Sequence, residues 1–575
     1  LDRNKLEALR AINTDAVTWE LANACRGAIS FGDDSGIYLA AYVLLRIKMN
    51  DSIRYESLED FISSSGDPES RCMFLRKTLQ NAWNSIICLR DRFEEESLQA
   101  VILFYEPSGK MYSEYTPAGI SRLAARIMDV RAGDYVADFC TGRGGFIREC
   151  AALQPDARYY GNDINTAAVE IASIRAQILG GCINIVQEDV FDMKDKERAF
   201  DVAFANYPFG MRAKDAWRSG FNRYEEFKKN NPEFSKTVSL DWLFNRMAYS
   251  AISGPRRAVC IMTNGSTWNT LDREARKHFI SKGIVEAVIS LPTNLFDSTS
   301  IGTVMIVLSH GNISTMMVDA RGLCTCGRRY NTINDENADE IIRALSVEGK
   351  HSKRVSYQEL EENDFVLNPV RYLTETVSVA DGVPFETIIK RITRGAPLNA
   401  AALDDLSSTI PTDTQYLMLA NIKDGIIDDY LPYLKGIDQR QEKYCIRNNS
   451  LIISKNGYPY KVAVAEVAEG HRILANGNLF VIELDEEKVN PYFIKAYLES
   501  DAGVAALKSI TVGATIPNIG VDQLKRIVVP CPPIEEQHDI ANKYLMLVDE
   551  IKLLRRKMKK ATSNLKHLFD ESKEG

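Results

Sequence analysis

The sequence is poor in the residues that build metal sites. Its 575 residues include six histidines and eleven cysteines, the cysteines scattered from Cys25 to Cys531. Only Cys324-Thr-Cys326 is close-spaced, and no second pair or histidine cluster completes a zinc pattern. No metal is therefore expected, and the thiols read as reduced, mostly buried groups of a cytoplasmic protein. Long apolar runs are also missing. None reaches the ~18 residues that a membrane span needs, and the stretch from Leu1 lacks the basic-then-apolar pattern of a secretory signal. Positive charge is not in excess: the net charge is −8, and residues 381–575 are no more basic than acidic. A nucleic-acid partner would require basic side chains gathered on one local surface. Repeats and low-complexity tracts are absent as well. What remains is an ordinary globular composition, 45% hydrophobic and 26% charged, in a chain too long for one core.

The pattern along the chain changes three times. Residues 1–110 read as helical, with apolar residues at helical spacing in Ile37–Met49 and Arg71–Arg92. Pro107-Ser-Gly109 breaks this region. Residues 111–375 alternate short apolar runs with helix-like segments, the runs being Tyr135–Phe139, Tyr159–Asn162, Ile183–Gln187, Val202–Asn206, Ala258–Met262, Ile284–Ser290 and Thr303–Leu308. That alternation predicts an α/β fold with a doubly wound sheet, to which 311–375 forms a tail and connector. Residues 376–533 turn to short strands with Asp424-Gly425, Asn456-Gly457 and Asn476-Gly477 as turns. A proline-rich hinge, Val529–Pro533, then introduces a long charged helix over 534–575. In it Ile551, Leu554, Met558, Ala561, Leu565 and Leu568 form a seam of coiled-coil type.

Two segments carry the chemistry. Asp138-Phe-Cys-Thr-Gly142-Arg-Gly144-Gly145-Phe146 follows the first apolar run. Glycines at such a strand-to-helix turn let a nucleotide-like ligand sit against backbone. Asp163, in Tyr159-Tyr-Gly-Asn-Asp163, is placed at the next strand end, where a carboxylate accepts from ribose hydroxyls. Asp189, in Gln187-Glu-Asp189, offers an acceptor to an adenine amino group at the third; a solvated strand-end acid is its plain alternative. A dinucleotide fingerprint would need glycine at 147, where Ile147 stands. The spacing is more typical of an S-adenosylmethionine site.

The second segment, Asn206-Tyr207-Pro208-Phe209, ends the fourth run. An exocyclic amine on a purine is a weak nucleophile because its lone pair is delocalised into the ring. Two acceptors on its hydrogens, the Asn206 side-chain oxygen and the carbonyl of residue 207, would aim that lone pair at a methyl group, and Phe209 could stack on an extruded base. The sulfonium leaving group drives the reaction, so no strong base is required.

Residues 110–375 resemble the modification subunit of type I restriction–modification systems. The resemblance rests on Tyr112-Ser-Glu-Tyr115-Thr116-Pro117, Leu240–Phe244, Ile289–Phe296 and Leu367–Tyr372, besides the two segments above. It implies a Rossmann-like fold, S-adenosylmethionine as methyl donor, and methylation of adenine N6 in DNA. It also implies that Tyr115, Thr116 and Pro117 help hold the donor's methionine part. Position 207 departs from it, carrying Tyr where the family has Pro, and position 139 carries Phe where Pro is usual. The carbonyl at 207 survives the change; the fixed φ of Pro does not.

Residues 381–575 resemble half of a type I specificity subunit, an α+β target-recognition domain followed by a spacer helix. The matching pieces are Phe385–Gly395, Leu451–Gly457, Gly513–Ile519 and Val528–Gln537. Lys390, Arg391, Arg394 and Lys455 are the candidate phosphate contacts, each with a solvated surface charge as the alternative. The resemblance implies double-stranded DNA as partner, with a homodimer through the C-terminal helix and a restriction or other defence subunit as further options. Two other functions stay open: a DNA-binding module inactivated through Tyr207, and an RNA or protein N-methyltransferase. No nuclease signature is present.

Overall fold

Each of the seven apolar runs between 135 and 308 forms a strand of one sheet. The structure is a computed structural model describing residues 1, 3–26, 35–50, 53–106, 115–192, 198–211, 229, 231–237, 239–296, 302–328, 330–373, 379–511 and 517–571, with side chains of the last helix described to 565. The chain divides into two units, Leu1–Leu373 and Thr374–Gly575.

The sheet of the first unit is made of β1 (Tyr135–Phe139), β2 (Arg158–Asp163), β3 (Cys182–Gln187), β4 (Val202–Asn206), β5 (Ala258–Thr263), β6 (Val285–Ser290), β7 (Thr303–Leu308), β8 (Ser314–Asp319) and β9 (Ser352–Ser356). Its order is β3-β2-β1-β4-β5-β7-β6-β8-β9. Strands β1 to β5 are parallel, while β7 runs antiparallel between β5 and β6. Residues 311–375 thus do more than connect, since β8 and β9 extend the sheet.

Helices Gly145–Leu153, Thr166–Leu179, Asp241–Ala251 and Arg273–Ser281 join these strands. They cover both faces, which is why the inner strands β1, β4, β5 and β7 are buried almost throughout rather than alternately. Along β4, Val202 and Phe204 enter one core and Ala203 and Ala205 the other. The chain winds outward from β1 in one direction and from β4 in the other. The crevice beyond the C-terminal ends of those two strands is where such sheets hold ligands.

The N-terminal helices build a third core, of which Tyr42, Phe61, Leu75 and Trp83 are members, and Ile174 of the Thr166–Leu179 helix belongs to it. Buried arginines lock these helices to the sheet. Arg175 donates to the carbonyls of Ile102 (2.8 Å), Tyr105 (3.1 Å) and Arg143 (2.8 Å) and pairs with Glu106 at 2.9 Å. The helical stretch expected over Arg71–Arg92 is broken into Glu69–Leu79 and Trp83–Ile87. The break lets Trp83 and Ile86 turn back into the core that Leu75 and Leu79 already face.

The second unit contains a four-stranded antiparallel sheet of Ile389–Arg394, Leu479–Leu484, Leu451–Ser454 and Val462–Val464. A second sheet has five very short strands. Asp424 (φ 47°) and Gly425 (φ 72°) close a two-residue hairpin between Ile422–Lys423 and Ile426–Ile427, the left-handed pair that such a turn demands. After the strand Val528–Pro530, one helix runs from Ile534 to Glu571. Its first part packs on the helix Pro491–Glu499, with Gln537 and Ala541 buried. Farther along, Ile551, Leu554, Met558 and Leu565 of the seam are exposed in the single chain.

Candidate active site

The glycine-rich turn is held open by hydrogen bonds that cross from β1 to β2. Thr141 N donates to the Asn162 carbonyl at 2.8 Å, and Gly142 N to Asp163 Oδ2 at 2.9 Å. Gly144 takes φ 76° to start the helix Gly145–Leu153. A Cβ on Gly145 would lie 3.2 Å from the Thr116 carbonyl, so glycine lets the segment before the turn lie against it. Asp138 is fully buried and accepts from the Thr141 hydroxyl at 2.6 Å. Burial pushes its carboxyl up to about 8, outweighing that bond.

A cavity of about 320 Å³ opens over these strand ends. Of the residues singled out from sequence, Thr116, Gly142, Asp163, Asp189, Asn206 and Pro208 line it. Asp163 also accepts from Asn165 N at 2.9 Å, so its carboxylate braces the turn as well as facing the cavity. Burial raises its pKa above the usual carboxylate value. Asp189 Oδ1 accepts from Phe191 N at 3.0 Å.

Several expected contacts fall behind the wall. Asp138 does not line the cavity; it braces the turn from beneath. Phe146 stacks on Phe204 in the core, at 4.2 Å between centroids. Gly144 and Gly145 shape the turn without being part of the cavity lining, Pro117 caps the helix Ala118–Ile127, and Tyr115 is half-buried, its hydroxyl pKa raised by burial. Tyr112, Ser113 and Glu114 lie outside the described residues.

One wall of the cavity, that of Val190, Phe191, Met211, Leu240 and Phe244, is given no role by the sequence, although Leu240–Phe244 is among the segments that carry the resemblance. These come from three segments far apart in sequence. The local signals are the aromatic two residues after Asp189 and the segment Leu240–Phe244. Asn162 was also passed over, although it precedes Asp163 in the chain. It is 1% exposed, donates to the Glu188 carbonyl at 3.0 Å and lines the cavity, yet its Oδ1 is buried with no hydrogen-bond partner among the described residues.

The same holds for Asn206. It ends β4, and its Nδ2 donates to Thr116 Oγ1 at 2.9 Å. This bond sets which way the amide points. Its Oδ1 is buried and has no partner among the described residues. A buried carbonyl oxygen without a donor is costly, and in a cavity wall it marks the place of a missing donor. Beside it Tyr207 is buried, Pro208 is exposed, and Phe209 meets Phe296 edge-on at 5.1 Å.

In the second unit the four candidate cations separate into two pairs. Lys390 reaches Asp485 at 3.0 Å, which raises its pKa, and Arg391 reaches Glu483 at 3.3 Å. Arg394 is exposed and donates from Nε to the Gly477 carbonyl at 2.6 Å. Partial burial, and then the charge of Arg394, lower the pKa of Lys455. Arg394 and Lys455 therefore share one positive neighbourhood. Residues 512–516, part of the matched segment Gly513–Ile519, lie outside the described residues.

Comparison with known proteins separates the chain in the same way. Residues 104–379 match the N-6 DNA Methylase family, and residues 415–562 match the type I restriction modification DNA specificity domain. The type I restriction enzyme MjaIX methylase subunit of Methanocaldococcus jannaschii is 24% identical over 50% of this chain and 56% of its own length. The MpnII methylase subunit of Mycoplasma pneumoniae is 22% identical over 49% of this chain and 58% of its own. The chain thus spans little more than half the length of these relatives. A solved type I methyltransferase subunit from Streptococcus thermophilus aligns with 63% of this chain and 98% of its own, at 16% identity and a TM-score of 0.48. Among the described residues no helix is long and apolar enough to cross a membrane, and no cluster of three metal-ligating side chains occurs.

Proposed function

From a chain that joins an N-6 DNA methylase domain to a type I specificity domain, we propose a site-specific DNA adenine-N6 methyltransferase of a restriction–modification or related defence system. One observation carries this reading: a buried amide oxygen on Asn206 without a hydrogen-bond partner among the described residues, oriented by Thr116 in the wall of a cavity at the end of β4.

The cavity suits S-adenosylmethionine. Its size is that of a small-molecule site. Three acidic residues, Asp163, Glu188 and Asp189, line it for hydroxyl and amino donors, and Phe191, Leu240 and Phe244 supply an apolar wall. When bound, the donor supplies a methyl group on a positive sulfur that leaves as a neutral thioether. The chain's own task is to place the amine. Asn206 Oδ1 and the carbonyl of residue 207 accept its two hydrogens and so turn the lone pair towards the methyl carbon. As the N–C bond forms, the nitrogen becomes cationic, which strengthens both hydrogen bonds at the moment of transfer. The proton then passes to solvent. Phe209 is the aromatic available to an extruded base. Tyr115, Thr116 and Pro117 border the donor's methionine end in this reading, with Asp138, Gly142, Gly144, Gly145 and Phe146 forming the turn below.

Residues 376–533 would read the duplex, with Arg394 and Lys455 on phosphate and Lys390 and Arg391 beside them. We take the boundaries at about 110, 375 and 533 as the domain limits. The exposed seam on the Ile534–Glu571 helix supports a homodimer, hence a bipartite palindromic site. Cleavage falls to another subunit, and the cytoplasm is the setting. Transfer of labelled methyl from S-adenosylmethionine to duplex DNA, followed by sequencing of the modified adenines, tests the whole proposal. Donor binding without transfer to any DNA would leave only a binding module.

A further inference from the structure

In the reading above residue 207 contributes a backbone carbonyl, and its side chain has no task. That side chain is nonetheless among the most deeply buried of the first unit. Its ring stacks on Phe244, with centroids 4.5 Å apart and planes 11° from parallel. Its hydroxyl donates to Asn245 Oδ1 at 2.9 Å, and the Asn245 Nδ2 is turned onto the Met262 sulfur at 3.5 Å. Asn245 is fully buried. Phe244 also belongs to the cavity wall, where it packs on Phe191 at 4.8 Å. A continuous chain of contacts thus runs from the apolar wall of the cavity to the backbone that carries the second acceptor.

Two constraints act on that backbone. Pro208 biases residue 207 towards extended conformations. Tyrosine, unlike proline, leaves its own φ free, so something else must hold the carbonyl in place. A long ring tied at its far end is such a device, because a rotation about the backbone at 207 would have to break the stack and the buried hydrogen bond together. A mere core filler needs neither the hydroxyl nor a fully buried amide aimed at it. Burial of this hydroxyl raises its pKa well above the ordinary value, which keeps it neutral and able to donate.

We propose that the Tyr207 side chain is a positioning residue for methyl transfer: stacked on Phe244 and tethered to Asn245, it fixes the Asn206–Pro208 backbone so that two acceptors converge on one amine, and it registers them against the donor cavity. The inference rests on the proposed function and deepens it.

Tyr207→Phe keeps the ring and the stack and removes only the tether. Three quantities separate the readings: the single-turnover methyl-transfer rate on duplex DNA, the donor dissociation constant by calorimetry, and hydrogen–deuterium exchange of peptides spanning 203–211. The expected result is a transfer rate lower by on the order of tenfold, a donor constant within about twofold of wild type, and faster exchange confined to that segment. Asn245→Leu, which removes the other end, should give the same pattern, and the double variant should be no slower than the worse single one. A Tyr207→Phe protein that transfers at the wild-type rate, or that slows without any local change in exchange, overturns the proposal. If wild type itself transfers no methyl to any DNA, the function reading fails instead. The exchange arm then still decides whether the tether holds the segment.

Discussion

The two units present their candidate ligand groups in opposite states. In Leu1–Leu373, Asn162 and Asn206 each hold out a buried amide oxygen with no partner among the described residues, while their NH2 groups are committed to Glu188 and Thr116. In Thr374–Gly575, Lys390, Arg391 and Arg394 already hold acceptors of their own chain. The physical cost explains the difference. A buried acceptor left unpaired is expensive, and in a cavity wall a ligand's donor can complete it. An exposed cation can trade an internal acceptor for water or phosphate at little cost. A chemical step is therefore legible as a defect in the first unit. A binding surface leaves no such mark in the second.

The sharpest way to break this comparison is to remove the defect. Asn206→Ala should lower methyl transfer by about 10²–10³-fold, the loss typical of one group aimed at developing charge, while donor binding measured by calorimetry is retained. A variant that still transfers at a tenth of the wild-type rate would show that the orphaned oxygen has another meaning.

Asp138 gives the next effect, on stability. Its carboxyl is lifted from 3.8 to about 8, so the folded state favours the protonated form. The resulting stabilisation is fully present below the ordinary carboxylate pKa and drains away as pH rises towards the raised one, with a slope of at most ~1.4 kcal/mol per pH unit. Asp138→Asn keeps an oxygen for Thr141 and has nothing to titrate. Its denaturant stability should fall less than that of wild type between about pH 5 and pH 8, and identical slopes would remove Asp138 from this account.

Thr116→Val frees the Asn206 amide to rotate and should reduce transfer by about fivefold to tenfold, one ordinary hydrogen bond. Full activity in this variant would mean that packing alone orients Asn206. The smallest effects belong to the second unit. Arg394→Ala and Lys455→Ala should each weaken DNA binding and reduce its salt slope by about one. Lys390→Ala and Arg391→Ala should change the slope less, since Asp485 and Glu483 already hold those cations, although Lys488 and Arg447 share the two carboxylates. Equal slopes for all four would erase the distinction between the pairs.

How much was legible follows from how local each signal is. Seven of the nine strands were readable as apolar runs, most of them because helices cover both of their faces. The helix break between Leu79 and Trp83 was not, since it answers to a core shared with distant helices. Within the segment Asp138–Phe146, sequence adjacency to the turn cannot distinguish a residue that lines the cavity, as Gly142 does, from Asp138 and Phe146, which lie beneath it.

The chain by itself determined the alternation of elements, the glycine-rich turn, the Asn206–Phe209 segment, and the change of texture after the sheet. These depend on backbone geometry and periodicity within a few residues. Only the tertiary structure decided that Thr116 sets the Asn206 amide, that Phe191, Leu240 and Phe244 make one wall, and that Tyr207 is anchored through Asn245. Strand order brings those partners together: β1 and β4 lie side by side although other strands separate them in sequence, and contacts made across that junction have no spacing in the chain from which to read them.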